Sequence, residues 1–470
     1  MPSTSPTLVN TANTALWDSN LIARYDLSGP RYTSYPTAPQ FHNLISDSDI
    51  AAALARSDST GKPLSIYCHI PFCDTVCYYC ACNKVITADK RKSIPYLERL
   101  FKEMAMMASK IDRHRAVDQL HWGGGTPTYL SLEQMTALMR ETRRYFNLHS
   151  DDSGEYALEI HPASVTPQTL KGLRDLGFNR LSIGIQDFDP QVQEAVNRFN
   201  SVEEVTRLIK QARDSAYHSI SMDLIYGLPK QSLNSIAKTL AAVIKLSPDR
   251  LSVFNYAHMP HLFKVQKQID EKALPSASEK LDMLHYIIER LRDEGYVYIG
   301  MDHFAKPGDE LARAQADGKL HRNFQGYATH GHCDLLAFGV SAISQIDNLY
   351  LQNHKQLDHY YQALDQNLAP VAKGFAMSQD DHIRKAVIMG LICQFHIRFD
   401  AIEQAFGIDF KHYFEQALAQ LAAMESDGLL TIDKQGIHVL AKGRLLIRRI
   451  CMAFDAYIAP ATKQSFSKII

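Results

Sequence analysis

The sequence predicts an α/β fold: a partial parallel barrel of about six βα units, with an N-terminal arm and a mainly helical C-terminal domain. Three observations predict it. Short β-rich segments recur at 65–70, 119–123, 156–161, 180–186, 219–227 and 250–256. Stretches with helical periodicity separate them, such as YLERLFKEMAMMASKI (96–111) and VEEVTRLIKQARDSA (202–216). Beyond about residue 375 the apolar pattern turns helical, in DDHIRKAVIMGLICQF, FKHYFEQALAQLAAMESDG and AKGRLLIRRICMAFDAYI.

Taken in order, SGPRYTSYPTAP (28–39) is rich in turn formers and aromatics. It suits an irregular arm, either folded across a cavity mouth or lying on the surface. We assign the arm over the active site to 1–57, the barrel to 58–294, a barrel extension with substrate-side loops to 295–374, and the helical domain to 375–470. Within that last domain DGLLTIDKQGIHVLAKG reads as a winged hairpin. Repeated βα order implies a parallel sheet with helices outside and functional groups at the C-terminal strand ends. His69, Glu159, Gln186, Asp223 and Asn255 all fall near such ends. One polar residue in an apolar strand is ordinarily a structural hydrogen bond, but five in register point to a ligand cavity.

Composition narrows the function. Across 470 residues, 46% are hydrophobic and 21% charged, and 50 Lys+Arg face 51 Asp+Glu. That balance gives no field to gather nucleic acid or an acidic membrane, and makes the C-terminal domain a lid or a substrate wall rather than a DNA-binding wing. The N-terminal stretch lacks a basic and apolar leader, and no apolar run approaches the length of a membrane span, so a cytoplasmic protein is expected. In that reducing compartment clustered cysteines signal a metal or redox site rather than disulfides.

CHIPFCDTVCYYCACNK (68–84) holds five of the eight cysteines. Cys73, Cys77 and Cys80 form Cys-x3-Cys-x2-Cys in one loop after a strand. A structural zinc site takes four ligands, usually as two pairs, whereas a cubane iron–sulfur cluster held by three leaves one iron open to a further ligand. Zinc is the runner-up. Alternation in SIYCHI sets Tyr67 and His69 on one face and Cys68 on the other, so Cys68 packs outward. Cys333, Cys393 and Cys451 read as small buried hydrophobes. The glycine run 123–125 lets backbone approach a ligand closely, and fits neither the dinucleotide pattern nor the Walker phosphate loop. THGHC (329–333) combines two histidines and a cysteine, which suits a loop near the active-site mouth better than a second metal site.

CHIPFCDTVCYYCACNK, LHWGGGTPTYL, GFNRLSIGIQDF, DLIYGLPKQ, DRLSVFNYAH, GMDHFA and HRNFQGY, read in that order with SGPRYTSYPTA, resemble the bacterial oxygen-independent coproporphyrinogen III oxidases of the radical S-adenosylmethionine (SAM) superfamily. The resemblance covers nearly the whole chain and implies the same partial barrel. It implies a [4Fe-4S] cluster on Cys73, Cys77 and Cys80, with Tyr67, Gly124 and Glu159 contacting the SAM on the open iron. It also implies a second SAM against Tyr79, Gly125, Thr126, Gln186, Arg198, Asp223, Ala257 and Ile343. Tyr79 stands where phenylalanine is common in the family, and Cys82 has no assigned role. The reaction implied is a 5′-deoxyadenosyl radical attack on two propionate side chains of coproporphyrinogen III, giving the vinyl groups of protoporphyrinogen IX in haem biosynthesis. A monomer, and a protein electron donor such as flavodoxin or ferredoxin, are expected with it. The tetracarboxylate substrate needs cations, for which Arg31, Lys306, Arg313 and Arg322 are candidates. Two readings compete: a related haem chaperone without oxidase activity, and a zinc-binding regulatory module.

Overall fold

The computed structural model describes residues 16–42 and 45–458. They form two compact units, one of residues 16–35 with 383–458 and one of residues 36–382. In the larger unit the six expected strands form close to their expected bounds: β1 (Leu64–Ile70), β2 (Ala116–Gly124), β3 (Glu155–Ile160), β4 (Arg180–Gln186), β5 (Ser219–Tyr226) and β6 (Arg250–Asn255). They lie in the order β6-β5-β4-β3-β2-β1 and every neighbour pairs in parallel. Helices 93–108, 132–145, 167–175, 202–214 and 233–246 make the crossovers. Three of them start with a serine cap at Ser131, Ser201 or Ser232, each closing a capping box that satisfies the free amides of the first turn.

Strand alternation sorts the side chains. In β3, Tyr156, Leu158 and Ile160 are buried under the helices while Glu155, Ala157 and Glu159 stand on the other face. Trp122 of β2 and Phe178 pack edge to face at 4.7 Å within this apolar layer. Helix 93–108 contributes Tyr96, Leu97, Leu100 and Met104 at helical spacing.

The 295–374 region supplies more sheet than its sequence suggests, because its strands are short and its apolar runs do not alternate. β7 (Val297–Gly300) and β8 (His303–Ala305) add antiparallel strands beyond β6. β9 (His321–Asn323) and β10 (Gly326–Ala328) form a separate hairpin. β11 (Asp334–Phe338) is a seventh parallel strand, on β1, and β12 (Ile343–Ile346), β13 (Leu349–Asn353) and β14 (Val371–Ala376) continue antiparallel.

The N-terminal end of the barrel is closed by a charged floor. Glu155 accepts from Gln119 Nε2 (3.1 Å) and Thr329 Oγ1 (2.5 Å), with His330 Nδ1 at 3.6 Å. Arg180 pairs with Glu310 and Arg250 with Asp309 and Glu310. Burial opposes a charged Glu155, but His330, Arg250, Arg180 and Thr329 together hold it far below the usual carboxylate range. Residues 329–333 therefore lie at this end and not at the active-site mouth. They lead into β11, which runs parallel to β1 and must begin where β1 begins.

In the smaller unit, three short antiparallel strands, β15 (His396–Arg398), β16 (Leu430–Ile432) and β17 (Gly436–Val439), make the winged hairpin and one unforeseen edge. Phe410 stacks on Phe399 at 4.4 Å and meets Phe414 at 4.8 Å, and Phe414 meets Phe454 at 5.3 Å. The tyrosines of the arm belong to this core: Tyr32 and Tyr35 are fully buried, Tyr32 donates to Asp455 (3.0 Å), and Tyr35 Oη accepts from the Ala456 amide (3.0 Å). Among the described residues no helix is long and apolar enough to cross a membrane.

Candidate active site

The candidate site is built at the C-terminal ends of the parallel strands, in the turns and loops that leave them. After β1 the chain makes a two-residue strand, Phe72–Cys73, paired with Val85–Ile86, so residues 74–84 form a closed loop carrying the cysteines. Tyr78 N donates to Val196 O (3.0 Å) and Cys80 N to Cys77 O (3.2 Å), fixing the loop's middle. Cys73 Sγ lies 3.4 Å from Thr126 Oγ1. The three thiols are not among the side-chain groups whose ligand atoms lie within 4.8 Å of one another. They do not converge on one point, which suits a multi-iron cluster better than a single zinc ion.

The thiols differ in acidity. Cys80 is lowered to about 6, first by its hydrogen bond from Cys82 and then, against burial, by Lys84, whose Nζ donates to the Cys80 carbonyl at 2.9 Å. Burial instead pushes Cys73 up to about 11. Cys82 thus reaches the Cys80 sulfur, while Cys68 is fully buried on the opposite face of β1 beside Trp122 and Glu103. The expectation that Cys68 packs outward holds.

Tyr67, Gly124 and Glu159 meet around two histidines. The Tyr67 ring stacks on His121 at 5.9 Å, and His121 Nε2 bonds Glu159 Oε1 at 3.3 Å. The Gly124 amide donates to Glu159 Oε2 at 3.1 Å. Burial resists ionisation of Glu159, yet these two bonds outweigh it and leave the carboxyl below its usual range. His69 is held neutral by burial. Its Nε2 faces only a carbonyl, Asn83 O at 3.0 Å, so that nitrogen carries the proton and Nδ1 accepts from Tyr67 Oη at 3.1 Å. A Cβ at Gly123 would stand 2.7 Å from Glu159 Oε1, and one at Gly124, where φ is +117°, 2.5 Å from the His69 ring. The glycine run exists for these contacts.

A second group gathers on β4 and β5. Gln186 ends β4 in the left-handed region (φ +70°), beside Arg198. Arg198 donates Nη2 to Gly184 O and directs Nη1 at Cys77 Sγ, 3.8 Å away. Tyr79 is buried against the same guanidinium and Cys77. Asp223 accepts from Ser182 Oγ at 3.1 Å and is raised to about 6, by burial first and then by Glu159. Gln266, missed in the sequence, ties this side together: its Nε2 donates to Tyr79 O (3.0 Å) and Ala257 O (3.3 Å), and its Oε1 accepts from Met259 N (2.6 Å). Gly125 and Thr126 sit on the cysteine loop's stem, their amides donating to Ile70 O (2.8 Å) and Phe72 O (2.9 Å). Ile343 lies at the start of β12, packed with Phe41, Tyr350 and Phe324.

Ser182 was legible in principle, since it shares its strand face with Gln186; nothing local marked His121 or Gln266. Three polar groups in this region keep buried atoms with no partner: Arg198 Nε, Asn255 Oδ1 and Arg322 Nε with Nη1. Buried polar groups are normally satisfied, so the donor and acceptor set fits an amino-acid-bearing nucleoside beside a thiolate-bound cluster.

Comparison with known proteins agrees with this geometry. The profile of the radical SAM superfamily matches residues 67–243, and that of the HemN C-terminal domain residues 377–446. The fold and site define a radical SAM enzyme. The oxygen-independent coproporphyrinogen III oxidase of Pseudomonas aeruginosa is 53% identical over 97% of this chain and 100% of its own length; that of Escherichia coli is 48% identical over 97% and 98%. The solved Escherichia coli coproporphyrinogen III oxidase (HemN) superposes with a TM-score of 0.90 at 47% identity, covering 94% of this chain and 99% of that one. The chain belongs to the oxygen-independent coproporphyrinogen III oxidase family.

Proposed function

We propose that this protein decarboxylates two propionate side chains of coproporphyrinogen III to vinyl groups, giving protoporphyrinogen IX without oxygen. The observation that carries the reading is the set of three thiols opening onto the Tyr67–His121–Glu159 and Arg198–Asp223 groups. As in the radical SAM superfamily, the cofactors are a [4Fe-4S] cluster and SAM, which when bound supply hydrogen-atom abstraction by a one-electron route.

The chain's own residues do the holding. Cys73, Cys77 and Cys80 would bind three irons. Glu159, kept ionised, would take a SAM ammonium, with Tyr67 and Gly124 beside it. Arg198, with its unpartnered Nε, would take a carboxylate in a second SAM site completed by Tyr79, Gly125, Thr126, Gln186, Asp223, Ala257 and Ile343. Arg31 belongs to the smaller unit, and the other three cations considered for the substrate separate clearly. Lys306 bonds Ser247 and approaches Asp249, and Arg313 lines a surface hollow together with Lys306 and Asp249. Arg322 is 4% exposed, stacks 4.8 Å over Tyr327 and leaves Nε and Nη1 unpartnered. Tyr327 in turn meets His303, register partner of Ser252, which bonds Asp223. A buried guanidinium with two unpartnered nitrogens calls for an acceptor, and we assign it a substrate carboxylate. A monomeric, cytoplasmic enzyme reduced by a flavodoxin- or ferredoxin-like donor completes the proposal.

The test is an anaerobic assay of reconstituted protein with reductant, SAM and coproporphyrinogen III, read by mass. Protoporphyrinogen with about two 5′-deoxyadenosines per product, abolished by Cys77→Ala, is expected. Tight haem binding without decarboxylation would overturn the reading in favour of the chaperone.

A further inference from the structure

The HGHC run absorbed by none of this chemistry lies at the barrel floor, beside an aspartate and a third histidine. Asp118 is near the start of β2, and His332 and Cys333 directly precede β11. Asp118, His332 and Cys333 bring one ligand atom each to within 4.8 Å of the others, the group of this kind among the described residues. Cys333 is therefore not the core hydrophobe its sequence suggests: it is half-buried, unlike Cys393 and Cys451.

We propose that Asp118, His332 and Cys333 bind a divalent transition-metal ion, zinc above all, at a site distinct from the iron–sulfur cluster. The donor set, one carboxylate, one imidazole and one thiolate, is that of zinc and cobalt rather than magnesium or calcium. His332 Nε2 stands 3.5 Å from Asp118 Oδ2. That is long for a hydrogen bond, but close to the edge of a tetrahedron whose arms are about 2.0–2.3 Å.

The other carboxylate oxygen is already engaged. His149 Nε2 lies 2.9 Å from Asp118 Oδ1, the carboxylate–histidine pairing that orients a ligand and leaves Oδ2 for the metal. His149 follows the short strand Asn147–Leu148, which pairs with Ala116 and Val117 at the start of β2. The neighbouring Asp334 is taken by Arg115 at 2.6 Å and does not compete. Asp118 and a Cys333 thiolate would neutralise a dication. His332 is exposed, so water completes the coordination. The ion would pin the 329–333 connection to β2, at the opposite end of seven-residue β1 from the cysteine loop, about 23 Å away at ~3.3 Å per residue.

The test uses the full chain with its cluster reconstituted. After chelating resin, one equivalent of cobalt(II) or zinc is added, free metal is removed, and iron and added metal are counted per chain. One retained equivalent is expected, the cobalt form showing four-coordinate visible bands with a thiolate charge-transfer band. Both should be lost in His332→Ala and in Cys333→Ser while cluster iron is unchanged. His332 is an exposed loop residue, so its variant folds, and the iron count verifies this. No retained metal in the wild type, or undiminished retention in the His332→Ala/Cys333→Ser double variant, would overturn the proposal.

Discussion

The Arg198 guanidinium lies 3.8 Å from the Cys77 sulfur while its Nε, buried, has no partner. One side chain thus joins the cysteine loop to β4 and still holds a donor in reserve. Replacing it with glutamine removes a charge-assisted contact, so SAM affinity should fall about 10–100-fold. Equilibrium dialysis with labelled SAM checks this, and cluster iron should stay unchanged.

Gly124→Ala places a methyl group into the His69 ring and strains a backbone at φ +117°. The ring must move, and with it the Tyr67 hydroxyl bonded to Nδ1. Displacement on the ångström scale costs about a hundredfold in rate. SAM cleavage in single turnover should show that loss, with the folded far-ultraviolet spectrum retained.

Asp223 titrates near 6, above its ordinary 3.8. A carboxyl whose folded pKa is raised takes up protons that the unfolded chain does not, so its contribution to stability is full below about 3.8 and declines as pH rises to about 6. The slope is about 1.4 kcal/mol per pH unit. Asp223→Asn should flatten that part of the difference curve and raise the melting temperature at pH 7.5. Denaturant melts at five pH values measure it; an unchanged slope would sink the assignment.

Glu103, in the helix outside β1, receives the Gly339 amide (2.8 Å), Asn353 Nδ2 (2.6 Å) and Tyr360 Oη (2.6 Å). Burial raises it to about 7. Glu103→Leu strands three donors and should cost roughly 3 kcal/mol or more. Glu103→Gln keeps an acceptor and should cost about half as much.

Arg322→Met removes a buried guanidinium two of whose nitrogens have no hydrogen-bond partner. The melting temperature of the substrate-free protein should rise or hold, while KM for the porphyrinogen rises about tenfold or more. A structural arginine would instead lower the melting temperature and leave KM alone.

The six central strands were legible because five of them join a β-rich run to a polar residue at the end and the other to a glycine run, and because parallel strands alternate with long amphipathic helices. β11 and its antiparallel neighbours were not, since DLLAF reads as readily as a buried helix turn as a strand. The Cys73, Cys77 and Cys80 loop was legible from spacing alone. Arg198 was not: its sequence context, QEAVNRFNSVEE, is that of a solvated helix, and only the left-handed Asn197 that ends its helix turns it inward. HGHC misled because its place is decided by the direction of β11, which the sequence conceals.

The floor built on Glu155, Arg180 and Arg250 makes the barrel a vessel sealed at one end. A flat macrocycle cannot be threaded through it, so any side chain to be processed must be presented from the strands' C-terminal ends or the open flank. For a molecule with two such side chains, the second can reach the same spot only if the ring turns or departs and returns. A release-and-rebind itinerary would show as free mono-vinyl intermediate in the medium, and in-place rotation as its absence.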